Sequence, residues 1–283
     1  MGKIVIASDS TCDLSPQLKE EFDIKVLPLC IVLDDVSYFD WEEITPDQII
    51  EWSNKNKTTP KTAAAGIEKA IEFLRPFKEE GDDVIYIGIS EDMSTTCNVI
   101  RLAASELEYD RVFIINSMNL STGVGIQLLR AADMVKAGKT TEEIIEAITE
   151  ARTKVRASFV VDTLTFLARG GRCSSATALL ANTLQLKPRI EVSMGKMTVG
   201  QKYRGKYKKV ILSYAKEMEE DLLKADKTRV FVTYSKIDPE ISEAVADYLR
   251  SLNYFENVYT TDAGGVITSH CGPSTLGILY YAN

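Results

Sequence analysis

The sequence predicts an α/β protein of two units. Residues 1–155 are expected to form a three-layer α/β/α unit around a parallel sheet, and residues 156–283 a two-layer unit with a mixed six-stranded sheet. Three observations lead there. Short apolar strands alternate with helical patterns through the first half, which is the signature of a parallel sheet covered on both faces. Strands crowd the second half, two of them joined by a tight turn at Met194-Gly195-Lys196. No Pro/Gly-rich linker marks the change of character near residues 152–157, so the two units are expected to pack closely.

In the first unit the strands are read at 4–7, 26–33, 84–89 and 112–115. Helix starts are marked between them. Ser15-Pro16 and Thr45-Pro46 each place a capping hydroxyl before a proline at the first helical position, and Thr140 with Glu143 forms a capping box. In the second unit strands are read near 157–161, 189–193, 197–202, 229–234, 257–261 and 276–281, with helices at 207–225 and 239–252 between later strands. There is no internal repeat and no low-complexity tract.

Composition narrows the function. The chain has 283 residues, 45% hydrophobic and 26% charged, with a net charge of −8. That balance argues against nucleic acid or an anionic bilayer as the main partner, because phosphate binding rests on an excess of Lys and Arg. Five scattered cysteines without C-x-x-C spacing and a single histidine make a zinc site an unlikely design and suit reduced thiols. The start, Met1-Gly2-Lys3-Ile4, runs straight into a strand and lacks the layout of a signal peptide. No apolar run approaches the roughly 20 residues of a membrane span, so a cytoplasmic protein without a metal or other cofactor is expected.

In an open parallel sheet, ligands bind at the carboxyl ends of strands. Segments rich in polar residues lie at such ends here. In Ser8-Asp9-Ser10-Thr11-Cys12-Asp13 the side chains are read as capping loop amides, since Thr11 stands where an aspartyl-phosphate site wants a second carboxylate. Thr62 precedes a helix that it either caps or leaves to face a cleft. Ser94 lies between a strand end and a helix start, but G-x-S-x-G fails at Glu91-Asp92. The stretch 116–125 lacks the third glycine of a dinucleotide fingerprint, with Leu128 in its place. Asp162 to Arg172 reads D-T-L-T-F-L-A-R-G-G-R: a strand exit, one or two helical turns with Leu164 and Leu167 inward, and two glycines that let Arg172 present a permanent cation. His270 stands before Gly272-Pro273 and is expected to project from a loop between strands.

Taken together, S-D-S-T-C-D, P-K-T-A, S-x-x-M-S-T-T, I-N-S-M-N-L-S-T-G-V-G, D-T-L-T-F-L-A-R-G-G-R, L-K-P-R and H-C-G-P-S-T-L-G resemble, in order and over nearly the whole chain, the DegV family of bacterial proteins. The resemblance implies a two-domain DegV-like fold that holds a long-chain fatty acid between its domains. It also implies a role as the binding component of bacterial fatty acid kinase. There a separate ATP-binding subunit phosphorylates the bound carboxylate to an acyl phosphate for phospholipid synthesis. By the same resemblance Thr62 and Ser94 hold the carboxyl group, with His270 near it and Arg172 beside it, and the chain is a carrier and substrate presenter with no catalytic residue of its own. The chain departs from the family pattern in Ala63-Ala64-Ala65 after Thr62, in Thr95 where the pattern has glycine, and in Asn116 where aspartate is common.

Elementary energetics agree with that assignment. A tail of roughly a dozen buried methylenes, at about 0.8 kcal/mol each, contributes about 10 kcal/mol gross. The carboxylate resists burial unless it is hydrogen-bonded and counter-charged. The rival reading is a stand-alone acyl hydrolase using Ser94 and His270, which requires a direct Ser–His hydrogen bond and a group to orient the histidine. A further segment, Gln201 to Lys209, interleaves five cations with two tyrosines. It is read either as a solvated hairpin edge or as a docking patch for the kinase subunit or, transiently, for a membrane surface.

Overall fold

The computed structural model describes residues 2–179 and 186–283. In the first half the strands are β1 (Ile4–Asp9), β2 (Lys25–Leu27), β3 (Cys30–Leu33), β4 (Val36–Phe39), β5 (Lys61–Ala63), β6 (Asp83–Gly88) and β7 (Val112–Asn116). A parallel sheet is ordered β2-β1-β6-β7. Successive side chains on its strands face opposite layers. Ile6, Ile85, Ile87 and Ile115 pack with Val124, Leu128, Ile144 and Ile148 from the helices Thr122–Lys136 and Thr141–Ala151. Val5, Val84 and Tyr86 pack on the other side with Leu74 and Ile100 from the helices Ile67–Glu80 and Thr96–Glu106. The three expected layers are therefore present. The capping box at Thr140 and Glu143 and the capping hydroxyl of Thr45 act as read, and Gln48 reaches back to make Thr45 a capping box as well.

One expected strand is in fact two. The apolar run 26–33 breaks at Pro28, which has no N–H to continue the ladder that ends at the Asp9–Leu27 pair. Beyond it the chain turns away, and β3 joins a separate antiparallel sheet ordered β4-β3-β5. That small sheet sets Thr62 opposite Ile31. Thr62 consequently lies on a strand and does not cap the following helix, whose N-cap is Gly66.

The second half contributes β8 (Val155–Val161), β9 (Leu186–Ser193), β10 (Lys196–Arg204), β11 (Ala225–Ser235), β12 (Asn257–Asp262) and β13 (Thr275–Ala282), in the order β10-β9-β8-β13-β11-β12. All pairs are antiparallel except β11 with β12, which are joined through the helix Pro239–Ser251. Met194 and Gly195 both take positive φ in the β9–β10 turn, as a two-residue hairpin requires. The helix expected over 207–225 ends sooner. Tyr207–Glu217 is followed by a short helix at Glu219–Leu222, whose first turn is all acidic, and Ala225 is already in β11 opposite Ala282.

One face of the six-stranded sheet buries Val160, Val232 and Ile278 under the helices 207–217 and 239–251. The other face places Phe159, Phe231 and Leu279 in the same core as Ile6 and Ile87. The helix Thr122–Lys136 lies between the two sheets and is buried without a break from Thr122 to Leu129. A helix apolar all round belongs between two layers, and its shared core is the physical reason that no linker separates the halves.

Candidate functional site

The carboxyl end of β6, the strand β5 and two segments of the second half converge on a cavity of about 570 Å³. All four residues singled out in the sequence line it: Thr62, Ser94, Arg172 and His270. Thr62 Oγ1 and His270 Nε2 are hydrogen-bonded at 2.8 Å. Ser94, in the loop after β6, has its hydroxyl 2.8 Å from Thr96 Oγ1 and accepts from the Thr96 amide at 3.3 Å. Arg172 follows the helix Thr165–Gly170 and Gly171, whose φ of 70° is the turn that two glycines permit. Its guanidinium donates to Gly170 O at 2.8 Å and to Met93 O at 3.3 Å, which bridges this segment to the Ser94 loop. Thr62, Ser94 and His270 are half-buried, and Arg172 is exposed at the mouth.

The interior is apolar. Ile89, Met93, Leu120, Met197 and Ile267 line the cavity behind the polar group. Leu120, Ile267 and Cys271 also wall a small inner space of about 30 Å³ reached by Phe159 and Leu279. Two acids, Glu91 and Asp92, stand at the rim, where Arg101 pairs with the first and Lys196 lies 3.6 Å from the second. Arg172 thus offers a positive charge with no acidic partner among the described residues, beside hydroxyl and imidazole groups.

His270 does not sit on a loop, as the sequence suggested. It is the penultimate residue of a short helix, Gly265–Cys271. Burial, and then the neighbouring Arg172 charge, hold its imidazole down at about 4, so it is neutral at pH 7. Its Nδ1 is buried without a partner, and a Cβ at Gly170 would fall 2.3 Å from that atom. Backbone and ring are therefore in direct contact, which only glycine allows. The linkage sign follows. Between pH 6.5 and about 4 the unfolded chain takes up a proton at this ring and the folded chain does not, so its contribution to stability is lost as pH falls through that window. His270→Asn is expected to lose less stability than the parent between pH 6.5 and 4.5 by roughly 2–3 kcal/mol in urea titrations. Identical pH slopes for the two proteins would contradict the neutral, buried imidazole.

Sequence reasoning missed what holds that helix. Its first turn carries no side-chain cap of its own. The open amides are taken by carboxylates from the first half: Gly264 N–H donates to Asp13 at 2.8 Å, and Gly265 and Val266 N–H donate to Asp40 at 2.8 and 3.3 Å. Ser10 and Ser121 hydroxyls hold Asp40 and Asp13 in turn. Burial pushes Asp40 up to about 6 and raises Asp13 well above the carboxylate range. The one available signal was negative, a helix beginning at Gly264-Gly265 with no local capping residue. Asp40→Asn leaves one acceptor oxygen for three donors, so a loss of about 1–3 kcal/mol is expected in thermal or urea unfolding at pH 7. An unchanged midpoint would remove Asp40 from this role. Asp9, as expected, serves amides: it accepts from Thr11 and Ile89 N–H, each at 3.1 Å.

The pairing that a hydrolase requires is not made, since Ser94 bonds Thr96 and His270 bonds Thr62. No carboxylate meets His270 Nδ1. No cluster of His, Cys, Asp and Glu suited to a metal ion occurs among the described residues. All five cysteines are free thiols, and no described helix is long and apolar enough to cross a membrane.

Fold and cavity together define an α/β protein whose parallel and mixed sheets enclose a ligand space, polar at its mouth and apolar within. The chain belongs to the DegV family: the profile described as "Uncharacterised protein, DegV family" matches residues 3–283. A DegV domain-containing protein of Clostridium perfringens is 33% identical over 280 residues, 99% of each chain. Among solved structures, a DegV family protein from Thermus thermophilus, described for its fatty acid binding, is 31% identical. It superposes with a TM-score of 0.91, covering 99% of this chain and 100% of its own. DegV of Bacillus subtilis, described as a fatty acid binding protein, is 27% identical with a TM-score of 0.86 over 100% of both chains.

Proposed function

We propose that this chain binds a long-chain fatty acid with its tail in the apolar interior and its carboxylate at Thr62, Ser94, His270 and Arg172. It presents that carboxylate to a partner ATP-dependent kinase. The observation that carries the reading is a cavity with one polar end, where hydroxyls, a neutral imidazole and a guanidinium without an acidic partner among the described residues gather in front of an apolar interior. The family relatives described as fatty acid binding support it. In this reading a carboxylate oxygen takes the γ-phosphoryl group of ATP held by the partner, and ADP leaves. The chain itself is a carrier, acting in the cytoplasm, and residues 1–155 and 156–283 are the two units that close on the ligand.

The cationic run 202–209 is proposed as the docking patch for the kinase subunit, with transient contact to an anionic membrane surface during lipid exchange. Lys208 pairs with Glu240 there at 3.0 Å, while Lys202, Arg204, Lys206 and Lys209 make no ion pair among the described residues.

Mass spectrometry of the purified protein, native against denatured, tests the core of this proposal. The expected result is a surplus mass that resolves into one fatty acid per chain. Ligand-free protein that also fails to take up added fatty acids would sink it, and would point to the changes at Ala63–Ala65 and Thr95 as the cause.

A further inference from the structure

A second cleft, of about 610 Å³, opens at the junction of the halves and is polar where the first is apolar. Arg152, Arg156 and Arg189 all line it. Arg152 follows the helix Thr141–Ala151, Arg156 lies on β8, and Arg189 lies on β9, where it pairs with Val160 of β8. Arg152 and Arg156 are hydrogen-bonded only to the carbonyls of Asn116 and Thr153, each at 2.9 Å, and neither has an acidic partner among the described residues. Arg189 lies over Tyr214, its guanidinium carbon 5.6 Å from the ring centroid. Glu191 Oε1 is 3.2 Å from Arg189 Nε, yet that atom makes no hydrogen bond.

One buried donor in the cleft, Arg152 Nε, is thus left without any acceptor, while Arg189 Nε has the Glu191 carboxylate beside it at 3.2 Å without a hydrogen bond. Each orphaned buried donor costs about 1–3 kcal/mol unless something supplies an oxygen. The charge balance points the same way. Lys224 at the rim is paired with Glu220 at 2.6 Å and Arg189 with Glu191, so Arg152 and Arg156 remain as cations with no acidic partner among the described residues, on a chain whose net charge is −8. A guanidinium presents paired N–H groups matched to two oxygens on one phosphorus, and unlike an ammonium it stays effective when partly buried. The cleft is too large for inorganic phosphate alone, which leaves room for an organic residue on the phosphate.

We propose that this cleft binds a small organic phosphate, with its phosphoryl oxygens taken by Arg152, Arg156 and Arg189. The site is separate from the fatty-acid cavity and does not depend on how that cavity is used. Isothermal titration calorimetry with glycerol 3-phosphate tests it, with glycerol as the uncharged control. Co-sedimentation with phosphatidic acid vesicles against phosphatidylcholine vesicles separates a free phosphate from a lipid headgroup. The expected result is saturable binding of glycerol 3-phosphate at one site per chain, none of glycerol, and at least a tenfold weakening in both Arg156→Gln and Arg189→Lys. The second variant keeps the charge and removes the fork. Both variants should retain the parent's melting temperature. If Arg189→Lys unfolds, the exposed Arg156 decides alone. Absence of saturable binding, affinity unchanged by Arg156→Gln, or binding to phosphatidic acid vesicles with none to glycerol 3-phosphate would each overturn the proposal.

Discussion

Gly265→Ala is expected to destabilise the protein more than any single substitution at Thr62, Ser94, Arg172 or His270. A Cβ there would meet Ile31 Cδ1 at 2.5 Å, Ile49 Cδ1 at 2.6 Å and Asp40 Oδ1 at 2.7 Å. Ile31 and Ile49 are fully buried, so neither has free space to turn into. Asp40 cannot retreat without releasing the Gly265 and Val266 amides that it accepts. Overpacking of about 1–3 kcal/mol adds to hydrogen bonds lost at about 1–3 kcal/mol each, so roughly 3–5 kcal/mol is expected. For a chain of this size that corresponds to a fall on the order of 10 °C in melting temperature. Gly66→Ala is the control, since nothing lies within 4 Å of a Cβ there. If both variants melt alike, the close docking of the 265–271 helix against the first half is wrong.

Arg172→Ala is expected to separate binding from phosphoryl transfer. Arg172 is exposed at the mouth and bonded only to two backbone carbonyls among the described residues. In the proposed complex the buried tail supplies most of the affinity, about 10 kcal/mol gross for a dozen methylenes. The guanidinium instead faces the carboxylate where phosphate charge develops. Acyl-phosphate formation with the proposed partner kinase should therefore fall by at least about tenfold while fatty acid affinity changes by less than about threefold. Ser94→Ala should behave similarly and more mildly. Equal losses in both assays would place Arg172 in ground-state binding alone.

The legible parts of this fold were those with local causes. Six strands of the second half are legible in the sequence, two of them through the tight turn at Met194-Gly195 that joins them, and all six form one sheet. The capping hydroxyl at Thr45 and the capping box at Thr140 were equally local. The errors have non-local causes. Nothing near Val26 says that Leu27 and Cys30 belong to different sheets, apart from the missing N–H of Pro28. The helix that carries His270 is capped across 225 positions by Asp40, so its start carries no local mark. Thr62, Ser94, Arg172 and His270 were singled out through motifs, and all four line the cavity. Asp40 sits in no such pattern and became visible only when its three donors were in place.

The capping of one half's helix by the other half's acids has a consequence for any attempt to recombine family members. A chimera spliced at residue 155 would unite an Asp13–Asp40 pair from one parent with a Gly264-Gly265 corner from another, and the fit between them leaves no room for a Cβ at Gly265. Exchange of a whole half should therefore succeed only when both pieces of that joint travel together, in effect making residues 10–13, 40 and 264–266 a single inherited module that the linear chain order conceals.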